Sequence, residues 1–175
     1  MSSAKTFIKM RDQKLGARVV QALKSRHFDA WYFDDPAEAL EKIVGLIPKD
    51  HTVAWGGGMT MDELGVKNRL EEMGYKTLDR DKAKSPEERI EIMRQALLCD
   101  TFLAGCNAIS EDGQLVNIDG NGNRVAAMIY GPKQVIIAAG MNNVVKSHAD
   151  AITHARTIAA PRNSQRITGL KAPCH

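Results

Sequence analysis

Thr52-Val53-Ala54-Trp55-Gly56-Gly57-Gly58-Met59-Thr60 is the stretch on which the architecture turns. A short apolar segment of strand character runs into three glycines, and Met61-Asp62-Glu63-Leu64-Gly65-Val66-Lys67-Asn68-Arg69-Leu70 then has the composition to start a helix. A strand ending in a glycine turn that feeds a helix is the unit of a layered α/β sheet. The same alternation extends upstream. Leu15, Val19, Ala22 and Leu23 recur at helical spacing, and Asp29-Ala30-Trp31-Tyr32-Phe33 reads as a short aromatic strand. Asp34-Asp35-Pro36 supplies an N-cap and a first-turn proline for a helix whose apolar stripe is Leu40, Ile43, Val44 and Ile47, with Pro48 as its stop.

Downstream, Lys76-Thr77-Leu78-Asp79 predicts a short strand, and Ser85-Pro86-Glu87-Glu88 predicts a helix start with Ile90, Met93 and Leu97 as the buried face. Thr101 to Gly105 reads as the next strand. The turn Glu111-Asp112-Gly113 between Ala108-Ile109 and Leu115-Val116-Asn117-Ile118 predicts an Asp-Gly hairpin, and Asp119 to Arg124 a tight glycine loop. Val125 to Tyr130 is ambiguous in type, Gly131-Pro132 is a break, Gln134 to Ala139 is a buried strand, and a last helix covers about Val145 to Ile158. The pattern predicts a three-layer α/β/α domain with a mostly parallel sheet and one antiparallel hairpin.

A chain of 175 residues that is 43% hydrophobic is read as one domain spanning 1–175, with 1–10 a loose N-terminal segment and 160–175 an extended C-terminal tail. Its 24 Lys and Arg are interleaved with 21 Asp and Glu for a net charge of +3, a solvated surface rather than a nucleic-acid footprint. The N-terminus lacks the apolar stretch of a signal peptide. Val135-Ile136-Ile137-Ala138-Ala139 is far shorter than the roughly 20 residues of a membrane span, so no membrane association is expected. The odd set Cys99, Cys106 and Cys174, with no C-x-x-C pair, supports neither a disulfide framework nor a metal site, and a reducing cytoplasm is expected. Cys99 and Cys106 read as small buried hydrophobes.

In an open α/β sheet, ligands sit beyond the carboxyl ends of the strands, which directs attention to two loops. In Gly56, Gly57, Gly58, Met59 and Thr60, bare backbone N–H groups and a helix start suit a carboxylate or phosphate, although a plain strand-to-helix turn needing positive φ has the same composition. The spacing matches neither G-x-G-x-x-G nor a P-loop. The second loop, from Asn107 through Asn117, Gly120, Asn121, Gly122 and Asn123 to Arg124, groups amides and carboxylates near glycines. Asn117 and Asp119 share strand parity and should face together, and Arg124 either clamps a ligand carboxylate or pairs with Asp119. Glu111 and Asp119 are the candidate catalytic carboxylates, as acid, base or nucleophile; turn chemistry explains the same residues.

The motifs Gly57-Gly58-Met59-Thr60-x-Asp62-Glu63-Leu64-Gly65, Asp79-Arg80-Asp81-Lys82-Ala83, Arg94-Gln95-Ala96-Leu97-Leu98 and the long block Asn107 to Val125 resemble the LUD domain family over about Lys14 to Cys174. The resemblance implies a fold like that of glucosamine-6-phosphate deaminase, ribose-5-phosphate isomerase and the coenzyme A transferases. It also implies a part in lactate utilisation, in which some members act with iron–sulfur proteins to oxidise L-lactate to pyruvate. The partners it implies are iron–sulfur proteins that carry the clusters; the two loops themselves lead to the expectation of a small anionic metabolite, and a homo-oligomer is left open. Longer relatives continue past the Pro-Cys pair, here Pro173-Cys174, into further cysteines that resemble metal ligands, and this sequence stops at His175. An independent isomerase or transferase acting on a sugar phosphate or coenzyme A ester, and a non-catalytic assembly subunit, are the other readings.

Overall fold

The computed structural model describes residues 4–165. In chain order the regular elements are α1 (Ala4–Ser25), α2 (Pro36–Gly45), β1 (Thr52–Trp55), α3 (Met59–Glu63), α4 (Val66–Glu72), β2 (Lys76–Leu78), α5 (Pro86–Gln95), β3 (Thr101–Gly105), β4 (Ala108–Ser110), β5 (Leu115–Val116), α6 (Asn123–Ile129), β6 (Gln134–Ala138), β7 (Val144–Val145), α7 (His148–His154) and α8 (Ala160–Ser164). Residues group into two compact units. One holds the described residues up to Ala39, Cys106–Asn117 and those from Ala139 onward; the other holds Leu40–Gly105 and Ile118–Ala138.

The second unit is built on a four-stranded sheet of order β2-β1-β3-β6 in which every neighbouring pair is parallel. Alternation along each strand sends side chains to opposite faces, and both faces are apolar, as a parallel sheet covered by helices requires. Val53, Trp55, Leu103 and Ile136 pack with Ile43, Val44 and Ile47 and with Met61, Val66 and Leu70 of α3 and α4. Ala54, Phe102 and Ala104 on the opposite face pack with Ala96, Cys99 and Ala127. The α/β class and mostly parallel sheet expected from the sequence are therefore observed, with helices on both faces.

The first unit carries a three-stranded sheet of order β5-β4-β7. β4 and β5 form the antiparallel hairpin, and β4 and β7 run parallel. Gly113 in the hairpin turn has φ 83°, and a Cβ there would stand 2.8 Å from the backbone of Ala22 in α1. Both the left-handed conformation and the close approach demand glycine.

Several expectations are corrected. Asp29 to Phe33 forms no strand. Instead, the Tyr32 ring lies on α1 so closely that a Cβ on Gly16 would come within 2.3 Å of it, so the aromatic run is spent on a helix rather than on strand pairing. The helix expected over Met61 to Leu70 is two helices, broken where Gly65 adopts φ 72°. Ile90, Met93 and Leu97 are not a buried face: Ile90 is 47% exposed and no residue of α5 is fully buried. The ambiguous Val125 to Tyr130 segment is helical through Ile129. The last helix begins at His148, because Val144–Val145 pairs with β4 and Ser147 and Asp150 form a reciprocal capping box. Residues 4–10, expected to be loose, belong to α1. Residues 160–164 of the expected tail are helical, preceded by a π-helical turn over Ala155–Ala159 where Pro161 lacks an N–H to continue the regular ladder. Residues 166–175 of that tail, Cys174 included, lie outside the described residues.

Gly16→Ala separates helix propensity from tertiary packing. Alanine is the better helix former by about 1 kcal/mol, yet in the native background the substitution is expected to destabilise because of the Tyr32 ring. In a Tyr32→Ala background it should stabilise by about 1 kcal/mol, as read by urea unfolding of the four chains.

Candidate functional site

β1 and β2 deliver their following residues to the same end of the sheet. β1 runs into Gly56-Gly57-Gly58, while β2 runs through Asp79 into a short 3₁₀ turn at Arg80–Lys82. The Asp79 side chain accepts from the Asp81 N–H at 2.9 Å and opens that turn. Arg89 of α5 holds it, donating from Nη1 to the Arg80 carbonyl at 2.9 Å and pairing with Asp81 at 2.9 Å. Arg80 is thereby presented at the strand ends beside the glycine turn.

Two arginines rest on bare backbone there. A Cβ on Gly57 would stand 2.6 Å from Nη2 of Arg80, and one on Gly56 would stand 2.7 Å from Cδ of Arg124. None of the three glycines has a left-handed φ. Gly56 and Gly57 thus make room for two side chains rather than for a turn needing positive φ, while a Cβ on Gly58 would meet only the Gly105 backbone at ordinary contact distance. The helix it feeds, α3, is five residues long, too short for a strong N-terminal field, so the positive charge here comes from guanidinium groups.

The two arginines differ in their partners. Arg124, 6% exposed, donates from Nε to Asp119 at 3.1 Å, from Nη1 to the Gly105 carbonyl at 2.8 Å and from Nη2 to the Ile118 carbonyl at 3.0 Å. The other Asp119 oxygen accepts from the Val125 N–H at 2.8 Å. Of the two roles considered for Arg124, the geometry shows pairing with Asp119. Arg80 makes no ion pair within 4 Å among the described residues, and its buried Nε has no hydrogen-bond partner. Its Nη1 reaches only the Met93 sulfur, at 3.5 Å. Burial pulls this guanidinium below its usual pKa, with Asp81 opposing the shift and Arg89 adding to it.

Gly56, Gly57, Gly58, Met59 and Thr60 lie in the second unit with Asp119, Gly120, Asn121, Gly122, Asn123 and Arg124. Asn107, Glu111 and Asn117 belong to the first. There the Asn107 N–H donates to the Asn117 side chain at 3.3 Å, and the Glu111 carboxylate is held by Arg18 at 2.5 Å and Lys146 at 2.9 Å. The expected shared facing of Asn117 and Asp119 is corrected: β5 ends at Val116, so strand parity does not extend to them. Cys99 is buried, and desolvation pushes its thiol up to about 11, the behaviour of a packing residue. Arg80 was missed from sequence because it lies outside both glycine-rich segments. Its place directly after a short strand is the signal that could have found it.

A family model described as the LUD domain matches residues 16–174. A comparison with curated proteins finds no match. No helix among the described residues is long and apolar enough to cross a membrane.

Arg124→Met should destabilise the protein by about 3–5 kcal/mol, because it leaves the Asp119 carboxylate without its charged partner. Asp119→Asn, which keeps shape and acceptor oxygen, should cost less. Equal losses in urea titrations of the two variants would refute the role given to this pair.

Proposed function

The chain belongs to the LUD domain family, which is associated with lactate utilisation proteins, and on that premise we propose that it binds the carboxylate or phosphate of a small organic acid at the Gly56-Gly57-Gly58 turn. The observation that carries this reading is Arg80: a half-buried cation with a buried, unpartnered Nε, packed on glycine backbone at the carboxyl ends of β1 and β2, with no carboxylate within ion-pair distance among the described residues. A buried cation is stabilised by an anion, and a planar guanidinium offers paired donors matched to carboxylate or phosphate oxygens. The Gly56 N–H is already given to the Leu103 carbonyl at 2.9 Å, and what Gly57 contributes is room for the Arg80 guanidinium to lie on the backbone.

Asp119 and Arg124 serve this site as scaffold. Arg124 ties the loop after residue 118 to the end of β3 through the Gly105 carbonyl, and Asp119 keeps that arginine's charge paired, so it does not compete for the incoming anion. Asp119 and Glu111 are both engaged by cations in these positions, which favours binding over independent acid–base turnover by either carboxylate. In the wider reaction, oxidation of L-lactate or a related organic acid to its keto acid, this chain holds the acid and iron–sulfur partner proteins carry the electrons.

Thermal unfolding of the full chain with L-lactate, pyruvate and inorganic phosphate tests the reading. An anion that binds, supplied at about 100 times its dissociation constant, should add about 2.7 kcal/mol of stability. Arg80→Leu should weaken binding by roughly 10- to 100-fold, the worth of a charged hydrogen bond. Binding undiminished in that variant would end the proposal.

A further inference from the structure

The apolar face of α5 that fails to bury itself has a second use. Ile90, Met93, Arg94 and Leu97 line a cleft of about 300 Å³ together with Asn121 and Asn123. This cleft and the arginine site share parts within the second unit. Met93 lines the cleft, and its sulfur accepts from Nη1 of Arg80. The Asp119 to Arg124 loop likewise contributes Asn121 and Asn123 to the cleft and Arg124 to the packing against Gly56. A volume of this size lies at the lower end of small-molecule sites, and an apolar lining with a few polar groups, here two amides and the Arg94 guanidinium, is the composition such sites share. It is more room than the body of a short hydroxy acid occupies.

We propose that the organic anion recognised at Arg80 carries an extended apolar body, and that this body lies in the cleft formed by Ile90, Met93 and Leu97, with the amides of Asn121 and Asn123 serving any polar substituent along it. The proposal rests on the anion reading above for the charged end, and for the rest of the ligand it replaces a lactate-sized acid with one of the fatty-acyl or aryl-substituted class. Methionine suits this position: its thioether is polarisable and its unbranched chain adapts to bodies of varied shape, while the sulfur stays in contact with the guanidinium that holds the charged end.

The test is a series of straight-chain carboxylates, acetate, butanoate, hexanoate and octanoate, titrated calorimetrically into the full chain, the Ile90→Asn variant and the Arg80→Leu variant. Ile90 is 47% exposed, so its replacement leaves the fold intact. Affinity should rise about fourfold for each methylene that enters the cleft, until the cleft is filled. In Ile90→Asn the dependence on chain length should flatten while acetate binding is unchanged, and in Arg80→Leu every member of the series should weaken together. Acetate and octanoate binding with equal affinity would overturn the cleft assignment and leave the anion site standing. A length dependence that survives Ile90→Asn would likewise overturn it, by showing that the tails lie elsewhere. Failure of every carboxylate to bind would overturn the cleft assignment, and failure of inorganic phosphate as well would overturn the anion reading with it.

Discussion

Arg124 is buried at a point where it has to satisfy several demands at once. Its aliphatic stem covers Gly56 after β1, while its guanidinium reaches the Gly105 carbonyl at the end of β3, the Ile118 carbonyl and the Asp119 carboxylate. A charge this far from water is tolerable only when its donors are met, and the loop around it is arranged to meet them. Glycine at 56, the carboxylate at 119 and the start of α6 all follow from that constraint. The position of the amides that rim the cleft follows as well.

The second arginine shows what changes when that rule is relaxed. Arg80 approaches Gly57 much as Arg124 approaches Gly56, but a methionine sulfur stands where a carboxylate could have been. Its neighbour Asp81, which could have neutralised it, is turned to Arg89 and Lys67. Two positive groups lie on adjacent glycines, one in a direct ion pair and one reached by aspartates only at longer range. That asymmetry, more than the glycine composition, is what the anion-binding proposal stands on.

The apolar face of α5 belongs to the same picture. In most amphipathic helices the stripe at positions three and four apart is buried against a sheet. Here Ala96, Cys99 and Ala127, with Leu97 partly buried against them, pack on one face of the sheet, and Ile90 and Met93 of α5 are left beside Asn121 and Asn123.

The local pattern alone determined the strand-turn-helix order, the parallel sheet and the Asp-Gly hairpin, because alternation, capping and glycine placement act over a few residues. Ser85 capping α5 and the start of α2 at Pro36 were legible for that reason. The tertiary structure decided what neighbours in space do to one another. It placed the Tyr32 ring on α1 instead of in a sheet, split the helix at Gly65, and divided the polar block so that Glu111 joined Arg18 and Lys146 while Asp119 joined Arg124. It alone brought Arg80 beside Gly57. These are contacts between residues far apart along the chain, and a periodicity read within one segment carries no information about which distant charge arrives next to it.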